Sequence, residues 1–174
     1  MIARFVRSMA LCLAAAGVFA SSSGCASGPD AQATAGSMHS FGLETARVKD
    51  SIDGAIEALE ALVVAQPSDL KGSFDAYSKS VKALDQQASV VRERAEEMKA
   101  MGNEFFKDWE SESVRPERRA ELTESYAKIK ENMASAKEEF TPFLKSLKDI
   151  EGYLRLDLSL QGIQSTASLV DKAK

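Results

Sequence analysis

A heptad pattern between Leu70 and Trp109 constrains the fold of this chain more than any other feature of its sequence. Apolar or small residues follow one another there at alternating spacings of four and three: Leu70, Phe74, Tyr77, Val81, Leu84, Ala88, Val91, Ala95, Met98, Gly102, Phe105 and Trp109. This spacing predicts one α-helix with a single apolar seam. At about 1.5 Å per residue the helix would be roughly 60 Å long, so only partner helices along its full length can bury the seam.

The same rhythm predicts a long helix on either side of this one. A first helix from about Ser40 to Gln66 carries a seam between Val48 and Leu62 and ends at Pro67. A third helix starts near Pro116, and its seam comprises Leu122, Tyr126, Ile129, Met133, Ala136, Phe140, Phe143, Leu147, Ile150 and Leu154. Since short connections make successive helices antiparallel, we expect an all-α fold, an elongated antiparallel three-helix bundle with coiled-coil packing.

Three places in the seams allow local alternatives. Pro142 interrupts the third helix without disturbing its period, which predicts a kink there instead of a helix end. The alternation from Leu154 to Leu160 is typical of a half-buried strand, but we favour helix because a lone strand would lack a pairing partner. Gly102 occupies a seam position, which indicates close packing of two helices or a hinge.

The N-terminal residues have the composition of a leader. Arg4 and Arg7 precede a short apolar run at residues 9–20, and a bilayer span needs about 20 apolar residues. Residues 26–37 are rich in Ala, Ser, Gly and Thr and show no apolar periodicity. We therefore expect a cleaved signal peptide at residues 1–24, a flexible tether at residues 25–39 and the helical bundle domain at residues 40–174.

Residues 22–25 (SSGC) resemble the lipobox of bacterial lipoproteins, although Ser22 stands where that motif usually has Leu. The resemblance implies a lipid on Cys25 and attachment to a membrane. Ala26 follows the cysteine, which resembles the signal for the outer membrane, so we expect a cell-envelope protein that faces the periplasm. The alternative is cleavage after Ala20, which would leave a soluble periplasmic or secreted protein with an unpaired thiol.

Composition argues against several classes of function. Without Arg4 and Arg7, 20 basic residues would face 26 acidic ones, and nucleic-acid binding needs a basic face, so nucleic acid is not an expected partner. His39 is the single histidine, and Cys12 lies in the leader, so the mature chain offers no metal or nucleophile cluster. Adjacent glutamates on a helix point in different directions. We therefore expect no enzyme activity, no catalytic or metal site and no cofactor.

The turn between the second and third helices is the best candidate for a partner contact. Met101 and Phe106 lie off the seam beside apolar seam residues, and a small basic group follows. The residues expected to touch an envelope protein partner are Met101, Phe106, Arg115, Arg118 and Arg119. Self-association is the alternative, because a heptad seam can also be buried against further copies of the chain.

Four short stretches resemble domain-of-unknown-function family 2959, a group of bacterial envelope proteins: residues 105–110 (FFKDWE), 119–122 (RAEL), 140–144 (FTPFL) and 157–159 (DLS). Residues 38–42 are similar to the start of that family after its lipobox. The resemblance implies a helical lipoprotein and no reaction. We expect a structural or adaptor module. The alternative is a small-ligand carrier or enzyme with a pocket near the Pro142 kink.

Overall fold

A computed structural model describes residues 29–108, 116–166 and 169–170. Within them the chain forms three long helices, α1 (Pro29–Val63), α2 (Leu70–Asp108) and α3 (Pro116–Leu156), and one short helix, α4 (Leu160–Ser165). No strand occurs in these described ranges. With 35, 39 and 41 residues, the long helices would each extend roughly 50 to 60 Å. The predicted all-α, elongated three-helix bundle is confirmed.

The start of α1 corrects the prediction of a flexible tether at residues 25–39. The helix begins at Pro29, eleven residues before Ser40, and Thr34 and Met38 are already buried. Its seam keeps the spacing of four and three throughout: Thr34, Met38, Phe41, Thr45, Val48, Ile52, Ala55, Leu59 and Leu62, all of them buried. Threonines at two seam positions hide the apolar period. The hydroxyl of Thr45 donates to the carbonyl of Phe41 at 2.8 Å, so burial leaves it satisfied.

Most described seam residues of α2 and α3 are buried, and others, such as Phe74, Val91 and Leu122, are half-buried; Trp109 lies outside the described residues. Tyr77 and Leu84 in α2, and Leu147 and Ile150 in α3, have no solvent-exposed area. Together with the second half of the α1 seam they form one hydrophobic cluster, and a second cluster around Met98 and Tyr126 continues it toward the turn between α2 and α3. The core is therefore a narrow apolar column and not a thick layer.

Two tyrosines establish how α2 and α3 face each other. The hydroxyl of Tyr77, near the start of α2, donates to the carbonyl of Leu147 at 2.8 Å, near the end of α3. The hydroxyl of Tyr126, early in α3, donates to the carbonyl of Lys99 at 3.0 Å, late in α2. The two helices are therefore antiparallel and in register along the core. Since α1 and α2 form a hairpin, with Gln87 donating to Glu44 at 2.7 Å, α1 and α3 run in the same direction.

Gly102 allows α2 to approach the ring of Tyr126. A Cβ atom at this glycine would lie 2.5 Å from the ring carbon Cζ, well inside van der Waals contact. The close-packing interpretation of Gly102 is therefore confirmed. Pro142 does not end the third helix, as expected, because α3 continues through it to Leu156.

The segment from Leu154 to Leu160 contains no strand, as we favoured, but it is not one continuous helix either. Helix α3 ends at Leu156, three residues form a corner, and α4 begins at Leu160. The side chain of Ser159 accepts a hydrogen bond from the backbone N–H of Gly162 at 3.0 Å. A serine in this capping position starts a new helix, which is the reason for the break.

Replacement of Gly102 by alanine tests the contact with Tyr126. We expect Gly102→Ala to lower the free energy of unfolding by about 1–3 kcal/mol, because the ring must move and its hydrogen bond to Lys99 is strained. The control is Gly152→Ala in α3, where nothing lies within 4 Å of the added Cβ atom. The control should stabilise the protein by about 0.5–1 kcal/mol through helix propensity. Urea denaturation followed by circular dichroism measures both, and equal effects would contradict the contact.

Tyr77 predicts a pH dependence of stability. Burial, with the Glu151 carboxylate nearby, raises the pKa of Tyr77 far above its ordinary value. The folded protein keeps the phenol proton at a pH where the unfolded chain loses it, so this stabilisation is complete below about pH 10 and declines as the pH rises further. Tyr77→Phe should lower the free energy of unfolding by about 1 kcal/mol at neutral pH, because the hydrogen bond to Leu147 is lost. It should also reduce the loss of stability at high pH.

The measurement is urea denaturation at several pH values from about 8 to 11. Tyr153→Phe is the matched control, because the Tyr153 side chain is 42% exposed. Wild type and the control should lose stability with similar steepness above about pH 10, and Tyr77→Phe should lose less. If the free energy of unfolding falls equally steeply with pH in all three proteins, ionisation of Tyr77 does not affect stability.

Candidate interaction surfaces at the two ends of the rod

The end that bears the α2–α3 turn is packed with aromatic side chains. Phe106 lies 5.0 Å from Tyr126 between ring centroids, and the ammonium nitrogen of Lys130 lies 4.7 Å from the centre of the Tyr126 ring. Phe105 contacts Phe106 edge to face at 5.5 Å. Met101 and Phe106, the expected contact residues, are half-buried and not fully exposed. Much of their apolar surface is thus already used inside the bundle.

The other residues predicted to contact a partner are three arginines, Arg115, Arg118 and Arg119. Arg115 and Cys25 lie outside the described residues, whereas Arg118 and Arg119 belong to the first turn of α3. The structure brings the backbone of these arginines to the same end as Met101 and Phe106. A partner contact at this end stays a prediction.

The opposite end exposes apolar side chains that the sequence did not mark as a surface. Val64 is 75% exposed and Leu156 is 88% exposed. Three more exposed large apolar residues belong to the same region, so that the group, which we call the apolar end, comprises Val63, Val64, Tyr153, Leu156 and Leu160. Four of them lie at or next to the C-terminal ends of α1 and α3, and Leu160 begins α4 just beyond α3. The two C-terminal ends lie at the same end of the rod because α1 and α3 are parallel.

A signal for the apolar end was present in the spacing. Leu156 follows the seam residue Leu154 by two positions, so its side chain leaves the buried stripe of α3. Val63 comes one position after Leu62, the last seam residue of α1, and is 43% exposed. Val64 follows the end of α1 and points away from the core for the same reason. Apolar residues at a helix end and off its seam indicate a surface, not additional core.

The corner after α3 holds the apolar end in shape. A Cβ atom on Gly162 would overlap the backbone carbonyl oxygen of Asp157, so only glycine fits this return of the chain. Ile163 and Thr166 are buried just beyond it, and the hydroxyl of Thr166 donates to the carbonyl of Ile163 at 2.8 Å. The resembling stretch at residues 157–159 is therefore a structural corner, with Leu158 packed against the main cluster.

The apolar end is strongly acidic around its exposed hydrophobic residues. The described segments 57–75 and 149–165 contain seven carboxylates and two cations. Glu151 is occupied, because it accepts from Ser78 at 2.7 Å and pairs with Arg155. Asp149 pairs with Lys145 at 2.5 Å. The acidic residues without an ion pair in these segments include Glu57, Asp69, Asp75 and Asp157, and all four are exposed.

The expected lack of a catalytic or metal site stays a prediction. His39 is exposed on α1, and within the described ranges no three His, Cys, Asp or Glu side chains are grouped to hold a metal ion. Pro142 faces solvent while Phe143 and Leu144 beside it are buried. A ligand pocket near Pro142 stays a prediction that these contacts do not favour.

Comparison with known proteins places the chain in a family without assigning it a reaction. The model of the family described as protein of unknown function (DUF2959) matches residues 43–174, so the similar residues 38–42 lie outside the match. No curated protein and no solved structure matches the chain. Within the part of the chain that the structure describes, no helix is long and apolar enough to cross a bilayer. The match covers most of the chain, and the protein belongs to the DUF2959 family.

Proposed function

We propose that this protein is a lipid-anchored component of the bacterial cell envelope whose helical rod acts as a structural or adaptor module. The observation that carries the proposal is the position of α1. Only residues 26–28 separate Cys25 from Pro29, where the rod begins. A lipid on Cys25 would therefore hold the rod itself, because the four steps from Cys25 to Pro29 span at most about 14 Å when extended.

The direction of the helices determines which end of the rod a lipid anchor would place at the membrane. Helix α1 would leave the membrane at Pro29, and α3 runs parallel to it, so the ends of both helices at Val63 and Leu156 would project away from the bilayer. The α2–α3 turn would lie near the membrane instead. With 35 residues in α1, the apolar end would stand roughly 50 Å from the anchor.

The arrangement of the side chains supports a role in holding another protein more than a role in catalysis. Its buried apolar side chains form a narrow core along the length of the rod, and several charged groups on its faces form ion pairs, such as Lys128 with Glu124 at 2.6 Å and Lys148 with Asp85 at 2.8 Å. A projecting, stiff element with one exposed apolar end can hold another envelope component at a set height. Ala26 after the cysteine supports a place in the outer membrane, facing the periplasm.

The anchor predicts where the protein fractionates. Wild-type protein should sediment with membranes and carry a lipid on its N-terminal cysteine, because one or more acyl chains add apolar area that favours the bilayer. Cys25→Ser should move the protein to the soluble fraction or leave it with an uncleaved leader. Cys12→Ser in the leader is the matched control and should leave both fractionation and lipid unchanged.

Membrane fractionation, labelling with a radioactive fatty acid and mass spectrometry of the N-terminal peptide provide the readout. A soluble wild-type protein that starts at Ser21 would establish cleavage after Ala20 and remove the lipid from the proposal. Persistence of Cys25→Ser in the membrane fraction with a processed N-terminus would show that some other contact holds the rod there.

A further inference from the structure

The apolar end is the most unusual surface of the described rod. Among its described residues, seven large apolar side chains are exposed, and five of them make up the apolar end. The other two, Leu43 and Val90, lie on the sides of α1 and α2. A concentration of apolar side chains at one point of a folded protein marks a contact site, whereas isolated ones along a helix are ordinary.

The charge around this surface selects between possible occupants. A second copy docking end to end would bring the same acidic residues together, and exposed like charges repel. Exposed Glu57, Asp69 and Asp157 have no cation bound to them within the described residues. An occupant that brings cations to these carboxylates gains attraction as well as apolar contact.

We propose that the apolar end binds an amphipathic, cationic segment of another envelope protein, with apolar side chains facing Val64 and Leu156 and Lys or Arg facing the surrounding carboxylates. The inference deepens the adaptor role and rests on it, but it does not depend on the lipid. Capping by Ser159 and the tight return at Gly162 hold Leu156 and Leu160 in place before the partner arrives. A preformed surface loses less entropy on binding.

A defined peptide tests the chemistry of the occupant. The probe is a helical peptide of about 18 residues with leucine on one face and lysine on the other, long enough to form a helix on contact. A scrambled peptide of the same composition and an analogue with glutamate in place of lysine are the comparison probes. The protein is used as isolated from cells, in phosphatidylcholine nanodiscs where it carries a lipid, with empty nanodiscs as the blank.

The leucine–lysine peptide should bind, and the other two should bind about tenfold more weakly or not at all. The double variant Val64→Ser with Leu156→Ser should weaken binding by about tenfold, since both apolar anchors are lost. Raising the salt from about 0.05 M to about 0.3 M should weaken it several-fold, because the carboxylates are exposed. The double variant Leu43→Ser with Val90→Ser, exposed on the sides of the rod, should bind like wild type.

Each remaining outcome counts against the inference. Equal binding of the lysine and glutamate peptides would show that charge does not select the partner. Unchanged binding by the apolar-end variant, with circular dichroism showing an intact fold, would place the contact elsewhere. A wild-type dimer in analytical ultracentrifugation that disappears on Leu156→Ser would assign the surface to a second copy. Failure of lipid attachment at Cys25 would leave these results unaffected, so the two proposals can fail separately.

Discussion

The burial of apolar seams along the full length of three helices is the interaction on which the rest of this structure depends. Each long helix has one narrow stripe of core residues, and none of the helices would be stable alone in water with that stripe exposed. Register between the helices follows from the same stripes and is reinforced by hydrogen bonds from Tyr77 and Tyr126 to backbone carbonyls of the facing helix. Both ends of the rod, with their different surfaces, are placed by this register.

The sequence predicted the fold class, the helices and most of the seams, because apolar spacing is a direct record of which face is buried. It failed where seam residues are polar. Thr34 occupies a core position and buries a small hydroxyl-bearing side chain, so the first part of α1 looked like a flexible tether. A period read from apolar residues alone will miss a helix whose seam includes satisfied threonines.

The candidate contact surface was harder to predict than the core. Phe106 lies off the α2 seam, which suggested exposure, yet it packs on Tyr126 from the neighbouring helix. Leu156 belongs to the alternating stretch from Leu154 to Leu160, which is typical of a half-buried segment, yet it is the most exposed large apolar residue of the described chain. The packing of Phe106 depends on a residue of the neighbouring helix, and the exposure of Leu156 depends on where α3 ends. The apolar spacing within a single helix does not contain this information.

The number of long helices determines where the chain enters and leaves the rod. An odd number of traversals leaves the first and last long helices pointing the same way, so the polypeptide enters the rod at one pole and reaches α4 at the other. A hairpin or four-helix bundle would return the chain to its starting point. Here, anything joined after α4 lies about a full helix length away from anything joined before Pro29.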